Sequence, residues 1–352
     1  MASIDIAPFL EDLESRIDPA VEDRLLAQWR QFADLKWTAG AFCPARQRAN
    51  PSKLAWPEIR VNESLDDPAK MLLQQFKDCS DALAKGSGDI LNVRANFGTP
   101  IMAMPFGTDF FLMPEQTNTL PASQPIGGDA AHRFIQSGKL SLDHPYLQKV
   151  FAMGRYYREA LANYPKLQKY VYIYHPDMQG PLDILEMVWG SEVFTAFIDE
   201  PEVVHRLLEM ITRFYIEVMN RWESIVPPRS DGYSAHWGML YRGRLMLRND
   251  SAMNLPPDFL NEFSRPYDQR LLDTFGGGAV HSCGRVDHYT NCLADMPGVY
   301  AFNLSQPHLN NMPKVLADTA DRGVTLVGLS AWEGEGDLVN GRPTRGRIHR
   351  AL

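Results

Sequence analysis

Apolar residues recur at helical spacing from the start of the chain: Leu10, Leu13, Ile17, Val21, Leu25 and Leu26 mark one face of an acidic amphipathic helix within residues 1–35. Between 36 and 67 this periodicity fails. Trp37, Phe42, Trp56 and the prolines read there as an extended segment wrapped over a core, ahead of a first strand near 59–62. Pro68 opens a helix to 83 with Met71, Leu72, Gln75, Phe76, Cys79 and Leu83 on one face. A strand over 89–99 follows. Residues 100–145 are long, rich in Pro, Gly, Thr and Asn, and carry Met102, Met104, Phe106, Phe110, Phe111 and Met113. A loop of that length and apolarity reads as lining or covering a pocket, or else as an excursion packed on the side of the fold.

The second half alternates more regularly. A helix over 147–164 leads to a β-branched and aromatic strand at 169–174, KYVYIY, that ends in HPDMQGP. A helix starts at Pro181, and another starts at Asp199 with Val204, Leu207, Leu208, Ile211, Tyr215 and Val218 as its apolar stripe. Residues 224–229 form a linker and 232–247 one or two short strands or a hairpin. A strand end at 248–251 turns into a Pro-started helix that reaches Phe275. A short strand around Val280, a helix over 286–293, a strand at 300–304, a helix over 312–322 and a strand at 324–329 complete the described alternation. Residues 347–351 supply a last strand. Strand–helix alternation of this kind predicts a parallel sheet, and roughly seven or eight units favour a closed (β/α)8 barrel over an open sheet. We therefore divide the chain into an N-terminal helix and wrapping segment, 1–55, and a barrel, 56–352.

In such a barrel the chemistry gathers at the carboxyl ends of the strands. The stretch 274–284, TFGGGAVHSCG, is the sharpest case. Three glycines end a helix and turn the backbone into Ala279 and Val280. In an extended strand residues i and i+2 share a side, so His281 and Cys283 can grip one metal ion. Other strand ends carry Arg94 and Asn96, then His175, Asp177 and Gln179, then Asp250, then Ser305, Gln306 and His308. Each alone reads equally as a loop residue, and Arg94 as a structural arginine binding loop carbonyls. His236 and Trp237 fall in the hairpin region, where a core or surface place competes with a role in binding.

Composition narrows the picture. The 352 residues include 45% apolar and 22% charged, the profile of a globular chain, and no apolar run reaches the ~18 residues that span a bilayer. A formal charge of −8 argues against a nucleic-acid partner held through phosphates. The first twenty residues lack the basic start and apolar core of a signal peptide, and four irregularly spaced cysteines suit a reducing compartment. Both point to the cytoplasm. The acidic, aromatic N-terminal region offers a surface for pairing two subunits.

The segments 179–211 (QGPLDILEMVWGSEVFTAFIDEPEVVHRLLEMI), 249–267 (NDSAMNLPPDFLNEFSRPY) and 279–284 (AVHSCG) together resemble the uroporphyrinogen decarboxylase superfamily, which also holds zinc-dependent methyltransferases acting on methyl-corrinoids. The resemblance covers residues 170 to about 329 and implies a (β/α)8 barrel. The decarboxylase branch carries an N-terminal arginine segment of the form WMRQAGR. Here the nearest basic cluster, PARQRANP with Arg46 and Arg48, departs from it. The methyltransferase branch implies zinc held by His-x-Cys and a further cysteine near the last strand. His281 and Cys283 match its first half, but no cysteine follows Cys292, so His349 is the expected third ligand, with Asp250, Asp177 and His308 as competitors.

On this reading zinc activates a thiol acceptor for attack on a methyl-corrinoid such as methylcobalamin. No D-x-H-x-x-G corrinoid motif occurs, so the donor would arrive on a separate partner protein. Asp177, Gln179 and Asp250 are expected to orient the reactants, with Arg94, Asn96, His236 and Gln306 binding substrate. Two alternatives stand beside it. One is a metal-free lyase in which Arg94 holds a carboxylate and Asp250 or His281 moves protons; the other is a non-catalytic barrel that binds a ligand or partner.

Overall fold

The computed structural model describes residues 4–331 and 346–350. Its N-terminal apolar run forms two helices, Ala7–Arg16 and Pro19–Ala33, where the spacing suggests one. Asp18 causes the break: its backbone is extended, its carboxylate accepts from the Ala20 amide, and Pro19 starts the second helix. The strand expected near 59–62 is instead the one-turn helix Val61–Ser64, closed by Glu63 turning back to the Arg60 amide. The helix expected to run on to Phe275 is also divided, into Pro257–Phe263 and Arg265–Phe275. Pro266 has no amide hydrogen to continue the first of them.

Eleven strands occur among the described residues: β1 (Asn92–Val93), β2 (Asp109–Phe111), β3 (Ala122–Gln124), β4 (Tyr172–Ile173), β5 (Tyr233–His236), β6 (Met239–Arg242), β7 (Leu245–Arg248), β8 (Gly278–Ser282), β9 (Val299–Leu304), β10 (Thr325–Leu329) and β11 (Ile348–Arg350). The fold is mixed α/β. Strands β7 to β11 form one parallel sheet in chain order, β1 and β4 form a parallel pair, and β2–β3 and β5–β6 are antiparallel pairs. The runs read as strands at 89–99 and 169–174 contribute only two paired residues each, the latter because Pro165–Tyr170 is helical. Beyond β4 a side chain replaces the ladder, since the Met246 amide on β7 donates to His175 Nε2 at 3.0 Å.

The glycines before β8 are a steric necessity. Gly276, at φ 72°, caps the preceding helix, and a Cβ on Gly278 would lie 2.0 Å from the Leu245 carbonyl oxygen. This close approach lets β8 pair with β7 from its first residue, so His281 stands opposite Arg248 and, on the other side, Asn303. The sheet and the N-terminal helices share one hydrophobic core running from Leu10 to Ile348. Phe42 extends the β11 edge, its amide donating to Ile348 O at 2.7 Å and its carbonyl accepting from Arg350 N at 3.1 Å. Its ring stacks on Phe32 at 4.7 Å and meets Trp29 at 4.9 Å. No helix among the described residues is long and apolar enough to cross a membrane.

Two measurements check this packing. Phe42→Ala, which removes a fully buried ring from between the N-terminal helices and β11, is expected to lower unfolding free energy by about 3–5 kcal/mol in urea titrations. An unchanged midpoint would contradict the packing. The second concerns acid. Burial pushes the imidazoles of His349 and His175 down to about 3, with the Arg248 charge adding to the effect at His175. Unfolded histidine binds its proton near 6.5, so stability is full above that pH and is lost as pH falls toward 3. Between pH 7 and pH 5 each group is expected to cost roughly 2 kcal/mol. The His349→Phe variant should show a shallower pH slope than the parent, whatever its absolute stability.

Candidate metal centre

Three ligand atoms meet where β7 and β8 end. One oxygen of Asp250, one ring nitrogen of His281 and the Cys283 sulfur lie within 4.8 Å of one another, the one such cluster among the described residues. His281 Nε2 is 3.4 Å from Cys283 Sγ and 3.6 Å from Asp250 Oδ1. The Asp250 carboxylate also accepts the Cys283 amide at 2.6 Å, which ties the strand-end loop to the residue after β7. Alternation along β8 supplies the His and Cys; the carboxylate comes from its neighbour.

The other ring nitrogen settles what His281 offers. Nδ1 lies 2.6 Å from Asn303 Oδ1, while Asn303 Nδ2 donates to the Val327 carbonyl at 2.7 Å. The amide is thereby oriented with its oxygen toward the ring. Nδ1 must carry the proton, leaving the Nε2 lone pair aimed at Cys283 and Asp250. Burial lowers the His281 pKa against the opposing pull of Asp250 and Asn303, so the ring is a neutral ligand at pH 7. Burial and the adjacent Asp250 charge push the Cys283 thiol up to about 11. A cation entering the cluster would displace that proton. An O, N and S donor set with a hydrogen-bonded imidazole suits zinc.

Around the triad the structure sorts the remaining candidates. Asp177 is not free for substrate: Arg248 Nε lies 2.6 Å from its Oδ1, Arg94 donates to Oδ2 at 2.9 Å, and Gln179 donates to Oδ1 at 2.9 Å. Burial alone would raise this carboxyl, but the two guanidinium groups overcome it and hold the pKa down. Arg94 is therefore occupied as an ion-pair partner. Asn96 is buried beside Gln74, and His236 is buried against Tyr241, with Nδ1 2.9 Å from the phenol oxygen. Gln306 accepts the Gly284 amide at 2.6 Å and so steadies the loop behind Cys283. His308 is exposed and outside the cluster.

His349 is the clear correction. It is buried in an aromatic cage, 4.5 Å from the Trp29 ring, and its Nδ1 accepts the Gly328 amide at 3.0 Å. Its strand, β11, pairs with β10 and stands three strands from β8 in the sheet, and His349 is not in the cluster. Asp250, expected to orient reactants or compete as a ligand, takes the third place.

Sequence reasoning missed Asn303, Arg248 and Asp183. A lone amide in the apolar run VYAFNL was the signal for Asn303. Asp183, in the first turn of helix Pro181–Trp189, accepts from the Asp250 and Ser251 amides at 3.1 and 2.7 Å. Burial, followed by the Asp250 charge, raises its pKa. Trp237 closes the β5–β6 turn with φ 46°, and its ring lies 4.9 Å from His281 and 5.0 Å from the Arg248 guanidinium.

A cavity of about 380 Å³ opens beside the triad at Asp250. Thr99, Ala122, Ser123 and Pro125 line one wall, so the long segment before residue 145 does border a pocket. A second cavity, of about 330 Å³ between β4 and β5, is lined by Tyr172, His175 and His236 and holds none of the triad.

Replacing Asn303 by Leu removes the acceptor for Nδ1–H and is expected to weaken zinc binding about 10–100-fold in chelator competition. Equal affinity would mean that Asn303 does not set the ring. No protein-family model matches the chain, and no curated protein matches it either.

Proposed function

We propose that the chain is a zinc-dependent methyltransferase on a (β/α)8 barrel, moving a methyl group from a methyl-corrinoid on a separate protein to a thiol in the cytoplasm. Barrel closure is supported by the chain order of the parallel strands β1, β4 and β7 to β11, by the Met246–His175 bond between β4 and β7, and by Phe42 beside β11. The observation that carries the function is the meeting of Asp250, His281 and Cys283 around one point with His281 Nε2 left open.

Bound zinc would supply the positive charge that makes a thiol lose its proton at neutral pH. The residues do the rest. Asp250, His281 and Cys283 hold the ion, and Asn303 fixes the imidazole. Gln306 and Asp250 hold the backbone after β8 in place through the Gly284 and Cys283 amides. The ion pair of Asp177 with Arg94 and Arg248 keeps Gln179 at the edge of the cavity, where the acceptor enters. In the transfer a sulfur–carbon bond forms as the cobalt–carbon bond breaks. The bonding pair stays with the corrinoid, and the thiol proton leaves to solvent.

Protein purified without chelator is expected to hold near-stoichiometric zinc. Alanine at His281, Cys283 or Asp250 should remove most of it and reduce methyl transfer from methylcobalamin to a thiol by more than about 100-fold. A parent protein that takes up no zinc on reconstitution, or transfer that survives loss of the metal, would sink this mechanism.

A further inference from the structure

The cavity beside Asp250 is charged with one sign only. Asp183, Glu186 and Asp250 line it, with Gln179 and the hydroxyls of Thr99 and Ser251 between them, and no lysine, arginine or histidine is among its lining residues. Asp183 is satisfied by the amides of Asp250 and Ser251. Two acceptors are left. Gln179 is only 5% exposed, donates Nε2 to Asp177, and has no described hydrogen-bond partner for Oε1. Glu186, half-buried on helix Pro181–Trp189, pairs its carboxylate with no described cation. The nearest guanidinium groups, Arg94 and Arg248, are held by Asp177.

A carboxylate or sulfonate entering here would meet like charge with no cation in the lining to balance it. A group with positive charge and N–H donors would satisfy both. We infer that the thiol acceptor also carries an ammonium group, received by Gln179 Oε1 and the Glu186 carboxylate while the sulfur reaches the triad. The acceptor class is thus an aminothiol. This rests on the methyl-transfer reading above and narrows it.

The test uses the full chain reconstituted with Co²⁺, titrated separately with cysteamine, 2-mercaptoethanol and 3-mercaptopropionate. Binding is read as the rise in thiolate-to-cobalt absorption in the near ultraviolet above the band that Cys283 itself gives. Because cysteamine is intrinsically the most acidic of the three thiols, the deciding comparison is between the parent and Glu186→Gln. The cysteamine Kd is expected to rise roughly tenfold in the variant, as for a lost charge-assisted hydrogen bond, while that of 2-mercaptoethanol stays within about twofold. The mercaptopropionate Kd should fall. Cysteamine affinity that is unchanged in the variant, or mercaptopropionate binding the parent more tightly than mercaptoethanol, overturns the ammonium assignment alone. Bound cobalt whose thiolate absorption rises with none of the three thiols overturns the thiol chemistry itself, and the aminothiol with it.

Discussion

The hydrogen bond between His281 and Asn303 is the constraint on which the centre depends. It exists because β8 and β9 run parallel in a register that sets these two residues side by side. The register in turn starts from Gly278, whose missing Cβ lets β7 and β8 approach at their first pair. A side chain there would push the strands apart or shift the pairing. A one-residue slip would turn His281 away from Asn303 and present Val280 to it, because alternation sends successive side chains to opposite faces. Backbone sterics at the start of β8 therefore govern which nitrogen carries the proton in a neutral ring three residues later.

A second network holds the strand ends together from beneath. Asp177 follows β4, Arg94 follows β1 and Arg248 ends β7, so one buried carboxylate joins three strands through two guanidinium groups. Buried charges are tolerated only when paired, and removing one partner of such a set leaves the others uncompensated. Arg248 also lies over the Trp237 ring, and Trp237 in turn meets His281. Trp237 reaches that position through a turn with positive φ at both central residues, Trp237 at 46° and Gly238 at 80°. Such a turn matches the twist of the two flanking strands. For a bulky residue that backbone is costly, and its place between the ion-paired Arg248 and His281 is what the surroundings impose on it.

How much of this was legible in the chain varied with the range of the interaction involved. Local signals worked. Glycine caps, proline starts and i, i+2 alternation placed β8 and its His-x-Cys pair, and the apolar stripe of Pro201–Ile225 appeared as one long helix. The parallel sheet followed from alternation, although β1 and β4 are shorter than their β-branched composition suggests. Contacts across the fold were not legible. Nothing near His349 signals the aromatic cage of Trp29, Phe32 and Phe42, because those rings are more than 300 residues away in the chain. For the same reason Arg94 read as either an anion clamp or a structural arginine on loop carbonyls, since its partner Asp177 lies 83 residues further along. The third member of the candidate cluster is intermediate: Asp250 was visible at a strand end, but only the pairing of β7 with β8 brings it to Cys283.

A carboxylate beside the imidazole and the thiol has a definite consequence for any divalent ion held there. A His, Cys and Asp set would carry the same total charge as a His, Cys and Cys set, so charge balance around a divalent ion would be the same in this partly buried site. Oxygen is a harder donor than sulfur and returns less electron density to the metal. The ion held by Asp250, His281 and Cys283 would therefore remain the stronger Lewis acid, and a substrate thiol beside it would lose its proton more readily but attack less eagerly. Nucleophilicity falls as thiol acidity rises. Under the proposed methyl transfer, a site of that balance would suit an activated methyl donor, in which breaking the carbon bond is easy and forming the thiolate is the harder task.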